Sequence, residues 1–213
     1  MRAMWQAAAV LALAAAARGA LAQGEELAPG ALPGKWGPLV AALASKGAIE
    51  APFTERRYFP FRREPTVLHG ILRTSPGRGL SLQYTDPEPS MIIADAAGLV
   101  LRDAGGRSRE MASASREAGA VASLLPIMRF DLPALFPLFT IKVFGTGPDW
   151  RFEFSPRDPG AADSLGTVIV LGAGTDVRHL EFRKSDSQRV EIEVGATRSG
   201  VLFTPGELAR FFR

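Results

Sequence analysis

Apolar positions along this chain follow two different periods. Between Pro38 and Lys46 they are spaced for a helix: Leu39, Val40 and Leu43, with proline in the first turn and Gly47 as the stop. From residue 49 the period becomes two. Ile49, Ala51 and Phe53 share one face, while Glu50, Thr54 and Arg56 lie on or near the other. Thr66 to Thr74 reads as a second strand, and Leu80, Leu82 and Tyr84 alternate with Ser81, Gln83 and Thr85 in a third. Met91 to Asp95 and Leu99 to Asp103 flank the short turn Ala96-Ala97-Gly98, a hairpin signal. Further on, Trp150, Phe152 and Phe154 alternate with Arg151, Glu153 and Ser155. Thr167 to Leu171, Val177 to Lys184 and Arg189 to Val194 predict three more strands, and Thr204 to Phe212 predicts a final helix with a capping box. The pattern is eight or nine antiparallel strands with a helix before, a helical insertion within and a helix after. A sheet with one apolar face must cover that face or curl round it. The expected class is therefore α+β: a strongly curved antiparallel sheet forming an unclosed β-barrel, with helices on its concave side.

The insertion is the stretch VASLLPIMRFDLPALFPLFTIKVF, from Val121 to Phe144. It is strongly apolar, yet Pro126, Pro133 and Pro137 break it and Arg129 and Asp131 sit inside it. A membrane span needs about 20 apolar residues in one helix, and each proline ends or kinks a helix. Two short helical pieces with a joint fit better. Such pieces laid over a sheet make either a filled core or a lid over a cavity, and alternation alone does not separate the two.

Arg2 and the apolar run Trp5 to Ala17, followed by Ala20-Leu21-Ala22, form the pattern of a secretory signal cleaved after Ala22. Residues 23–37, rich in Gly, Pro and Ala, read as a flexible leader, and 38–213 as one domain. Export to a bacterial periplasm is expected. Removing Arg2 and Arg18 lowers the formal charge from +3 to +1, and no dense basic face suggests nucleic acid. Cysteine is absent, which excludes disulfides and a lipidated cysteine. The core alone must hold the fold.

Catalytic signals are weak. His69 and His179 each sit in a strand pattern, where a polar-face histidine is the simpler reading than a metal ligand. Gly172-Ala173-Gly174-Thr175 joins strand to strand, so it is a hairpin turn and not a phosphate cradle. Ser113 and Ser115 lie in no G-x-S-x-G elbow. Asp86, Glu88, Asp95 and Asp103 fall at strand ends, where turn chemistry accounts for them. The cluster Tyr58 to Arg63, YFPFRR, is either a packed strand end or a docking patch. A binding protein, without cofactor or metal, is expected rather than an enzyme.

The order of elements resembles the outer-membrane lipoprotein carrier (LolA) family. Phe53-Thr54-Glu55 resembles its F-x-Q, with Glu for Gln, and Gly70-Ile71-Leu72 its G-x-L. Tyr84-Thr85-Asp86-Pro87 followed by Ser90 to Asp95 resembles its x-x-P and following hairpin. The insertion lies where the family's lid helices lie. Asp149 to Arg157, DWRFEFSPR, is similar to its W-x-L-x-L-x-P-basic strand. The resemblance implies an apolar cavity lined by Phe53, Leu72, Leu82, Tyr84, Ile93, Trp150, Phe152, Leu180 and Ile192. It implies a lid carrying Leu125, Met128, Phe130, Leu135 and Phe136, and Arg78, in Ser75-Pro76-Gly77-Arg78, is the candidate lid latch. It further implies a monomeric periplasmic carrier whose cargo is acylated (a lipoprotein, a glycolipid or a fatty acid), with an inner-membrane donor and an outer-membrane acceptor. A lipid-sensing or assembly module docked on an envelope protein is the alternative.

Overall fold

A computed structural model describes residues 24–30, 34–111, 125–145 and 148–213. The expected signal, Ser113, Ser115 and the first residues of the insertion lie outside them. Among the described residues, thirteen strands form one antiparallel sheet. In chain order they are β1 (Glu25–Leu27), β2 (Ile49–Tyr58), β3 (Thr66–Ser75), β4 (Gly79–Asp86), β5 (Ser90–Asp95), β6 (Gly98–Arg102), β7 (Ser108–Met111), β8 (Phe139–Phe144), β9 (Asp149–Pro156), β10 (Thr167–Ala173), β11 (Asp176–Ser185), β12 (Gln188–Val194) and β13 (Arg198–Ser199). Helix α1 (Trp36–Ala44) precedes β2, α2 (Leu132–Leu135) precedes β8, α3 (Pro159–Leu165) follows β9 and α4 (Pro205–Phe211) ends the chain. The spatial order is β1-β8-β9-β10-β11-β12-β2-β3-β4-β5-β6-β7, with β13 on β2. The two end strands do not pair with each other, so the barrel is unclosed, as expected.

Alternation sorts the side chains as the period of two requires. Phe53, Leu72, Leu82, Tyr84, Phe152, Phe154, Val168, Val170, Leu180 and Ile192 point into one buried cluster. The sheet curls tightly around it. Strands β3 and β9 are five places apart, ~24 Å in a flat sheet. Yet Phe130, whose ring touches Trp150 and Phe152 of β9, lines the same small cavity as Leu72 of β3. Two inner-face glycines let aromatic rings lie on the strands: a Cβ on Gly70 would meet the Phe53 ring at 2.7 Å, and one on Gly172 the Trp150 ring at 2.2 Å.

Several boundaries differ from the sequence expectation. The leader is not wholly loose: Glu25–Leu27 pairs with β8, Leu27 is buried, and the Trp36 indole donates to Glu25 at 2.9 Å. The end of the apolar insertion is a strand, because Phe139, Ile141 and Val143 face inward while Lys142 faces out. Helix α3 was not expected; Asp158 caps it, accepting from the Ala161 N–H at 2.7 Å.

The convex side of β4–β6 is covered as well. Phe211 and Phe212 pack on Met91, Ile93 and Val100 in a second cluster. The predicted capping box forms: Thr204 accepts from the Glu207 N–H, and the Glu207 carboxylate accepts from the Thr204 N–H. Beneath Phe211 lies the buried Arg73 guanidinium, 3.7 Å from the ring centroid, bonded to Glu50 at 2.7 Å and Gln83 at 2.8 Å. Arg213 closes the end through Asp95, at 2.7 and 3.0 Å. Burial opposes ionisation of Glu50, but Arg198 and Arg73 together outweigh it and hold its carboxyl below the usual range.

A folded-state pKa below the unfolded one contributes stability above the unfolded value, about 4.3 for glutamate, and loses it as the pH falls further. Thermal melting should therefore drop between about pH 5 and pH 3. Glu50→Gln should melt lower at neutral pH and show a shallower acid dependence; an unchanged slope would remove Glu50 from the linkage.

Candidate functional site

The concave side of the sheet is crossed by residues 125–138. They begin as a helical turn over 125–128 and continue through the joint Arg129–Asp131 into α2. Ile127 and Leu135 are fully buried, with Phe130 and Leu132 nearly so. Leu125, Met128 and Phe136 are half-buried against the same cluster. All five expected lid residues therefore meet the inner face of the sheet. Ile127 and Leu132, absent from that expectation, are buried more deeply than Met128 or Phe136. Apolar character within a proline-bounded run was the signal that could have found them.

Phe130 is the centre of this contact. Its ring packs edge-on against Trp150 at 5.7 Å and Phe152 at 5.4 Å. Its backbone is left-handed, with φ +50, the sole non-glycine residue with positive φ among the described residues. Such a conformation costs an L residue about 1–3 kcal/mol. Here it turns the chain between the two helical pieces. Asp131 then caps α2, accepting from the Ala134 N–H at 3.3 Å.

Beside the joint lies a cavity of about 240 Å³. Its walls are Leu43 and Ala44 of α1, Ile49, Leu72, Val177 and Val194 of the sheet, and Met128 and Phe130 of the crossing segment. Lys46 stands at its rim, paired with Asp176 at 2.7 Å, and Arg129 also borders it. The lining is mainly aliphatic, with Thr74, Ser75, Thr175 and Thr197 also in the wall and the charges at its border, a setting that can take a hydrocarbon guest.

Deeper in the barrel, β2 turns a carboxylate inward. Glu55 is buried and accepts from the Tyr84 hydroxyl at 2.7 Å and from Arg57. Burial, and then the negative charge of Glu55, push the Tyr84 phenol well above its usual range. Burial works against the Arg57 charge, but Glu55 more than offsets it and holds the guanidinium protonated. This satisfied triad sets a polar group within an otherwise apolar inner face.

The sequence-predicted residues mostly come together. Phe53, Leu72, Leu82, Tyr84, Trp150, Phe152, Leu180 and Ile192 share the inner cluster. Ile93 does not: it faces the convex side beneath Phe212, while its neighbours Ile92 and Ala94 face inward. Both faces of β5 are apolar because both are covered, so alternation could not choose between them. Arg78 is also misplaced as a latch. It donates to the Arg213 carbonyl at 3.2 Å, on the β3–β4 turn, and touches the C-terminus instead of the crossing segment. The arginine that ties this segment down is Arg157, the basic residue closing DWRFEFSPR. Its Nε donates to the carbonyls of Phe136 and Phe139, both at 3.1 Å, and its N–H to Leu138 at 2.9 Å.

Several of the polar candidates make local contacts. His69 meets Thr54 and His179 meets Glu193, each at 3.1 Å on the outer face. Asp103 accepts from the N–H groups of Gly105 and Arg107 in its turn, and Asp95 from that of Ala97. Among the described residues no group of three or more His, Cys, Asp or Glu could hold a metal ion, and no helix is long and apolar enough to cross a membrane.

No protein-family model and no curated protein matches the chain. Solved structures do. A LolA-superfamily protein from Nitrosomonas europaea is 8% identical, with 84% of this chain and 97% of that one covered and a TM-score of 0.47. A DUF1329-family protein from Desulfovibrio piger is 8% identical over 78% and 92%, with a TM-score of 0.41. MucB is 15% identical over 82% and 61%, with a TM-score of 0.44.

Truncating Arg157 to Ala should cost about 1 kcal/mol, because the carbonyls it leaves stay near water. Hydrogen exchange should accelerate at the amides of Leu135, Phe136 and Leu138 more than in the strands. Uniform acceleration would show that Arg157 does not hold the segment in particular.

Proposed function

We propose that the protein is a non-covalent carrier of an acylated molecule, with the chain held between the inner face of the sheet and residues 125–138. The observation that carries this reading is the cavity beside Phe130, walled mainly by aliphatic side chains and bordered by a segment whose joint is strained. The sequence resemblance to lipoprotein carriers points the same way. The secretory pattern at the N-terminus supports a periplasmic location.

The magnitudes define how loading would work. A pocket for a drug-sized ligand holds about 300–1,000 Å³, so 240 Å³ is too small for a long acyl chain without movement. A sixteen-carbon chain leaving water is worth on the order of 12 kcal/mol at ~0.8 kcal/mol per CH₂. Fully exposing Ile127, Phe130, Leu132 and Leu135 would cost about 6–12 kcal/mol at 1.5–3 kcal/mol each. Full exposure thus leaves about 0–6 kcal/mol for loading. A segment that slides and keeps its apolar face on the guest retains more of the gain, and relaxing Phe130 from its left-handed conformation adds to it. The cavity lies where such a slide begins.

Protein exported to a periplasm and purified without detergent should release a near-stoichiometric acylated species into organic solvent, identified by mass spectrometry. Phe130→Ala removes the plugging ring and keeps the left-handed strain, and should bind a fluorescent fatty acid about tenfold more tightly, since about 1.5–3 kcal/mol of ring burial no longer opposes loading. A stable protein that is empty on extraction and rejects added fatty acid in both forms would mean that the lumen is simply a core.

A further inference from the structure

The cavity lies at one end of the barrel, where β2 starts and β3 and β12 finish. The opposite end is different in kind. There the turn from β2 to β3 carries Phe59, Pro60 and Phe61, and the two rings stack with centroids 5.5 Å apart and planes at 24°. The turn is pinned. The Arg62 N–H donates to the Phe59 carbonyl at 3.0 Å, and the Arg62 guanidinium donates to the Thr66 hydroxyl at 2.8 Å. Phe61 is nevertheless 81% exposed, and Val67 on the adjoining strand is 40% exposed. Arg62, Arg63 and, from the neighbouring β11–β12 end, Lys184 are exposed around the rings, against Glu64 and Asp186 in the same two turns. A second cleft, of about 280 Å³, opens beside Phe59 with Leu165, Phe182 and Val190 inside and Lys184 and Arg189 bordering it.

A single exposed apolar side chain needs no explanation. A rigidly presented aromatic pair at a convex tip, flanked by cations, has a specific chemistry. Aromatic rings partition to the headgroup level of a bilayer, and Lys and Arg beside them meet anionic phosphates. A protein partner fits less well, since a stable interface takes about 800 Å² from each side, while the apolar part of this tip is two rings and a valine between charged flanks.

We propose that this end of the barrel docks on a bilayer surface containing anionic phospholipid. Phe61 enters the headgroup layer, and Arg62, Arg63 and Lys184 contact phosphates. Docking sets the second cleft against the bilayer and leaves the cavity end free. The proposal rests on the turn and its charges and stands apart from the carrier reading.

The test is co-sedimentation of the exported, purified protein with vesicles of phosphatidylcholine, with and without phosphatidylglycerol. Binding is expected only with phosphatidylglycerol and should weaken as salt is raised. Phe61→Ser, and separately the pair Arg62→Glu and Arg63→Glu, should each lower vesicle affinity about tenfold while leaving thermal melting and fatty-acid binding unchanged. Absence of vesicle binding, or equal binding by wild type and Phe61→Ser, overturns the proposal. So does an envelope protein held through these residues by a chain that ignores vesicles. Loss of fatty-acid binding elsewhere would bear on the cavity alone.

Discussion

The fold depends on covering the inner face of a curled, unclosed sheet. An antiparallel sheet tolerates one wet face, but Phe53, Leu72, Phe152, Phe154, Val168 and Leu180 make this one too apolar to leave open. Residues 125–138 supply the cover, and Phe130 is the point where cover and sheet interlock. Closing the barrel strand to strand would pair the two edges that are now free. The open edge, the crossing segment and the small residual cavity are thus parts of one arrangement.

Polar groups divide the molecule around that arrangement. Inside, Glu55, Tyr84 and Arg57 satisfy one another within the apolar inner face. On the convex side, Arg73 is buried only because Glu50 and Gln83 meet its donors and Phe211 covers its plane. A buried charge with such partners specifies geometry more than it stabilises. It fixes where the C-terminal helix lies, and that helix keeps the convex face of β4–β6 dry. The two ends of the barrel differ accordingly. One is walled by aliphatic side chains beside the strained joint, and the other is tipped with stacked phenylalanines and arginines.

Much of this was legible along the chain. Strict alternation at Leu80-Leu82-Tyr84 and Trp150-Phe152-Phe154 determined both strands and inner face, because a side-chain period of two leaves no other solution once one face is apolar. Prolines at 126, 133 and 137 determined that the insertion is broken into pieces, and Thr204 to Glu207 determined a helix start. Short edge strands such as Glu25–Leu27 escaped because three residues carry too little pattern. Helix α3 escaped because Asp158-Pro159 marks a turn as readily as a helix start.

Tertiary structure alone decided three things. It assigned Ile93 to the convex side and Ile92 to the lumen, since a strand covered on both faces shows no contrast to read. It gave the tie on the crossing segment to Arg157 and not Arg78, because long-range hydrogen bonds to carbonyls depend on which loops meet in space. It also determined that Ile127, Phe130, Leu132 and Leu135 pack into the lumen and leave a small cavity beside Phe130. Residual volume is a difference between large packed volumes, and no local pattern of residues encodes it.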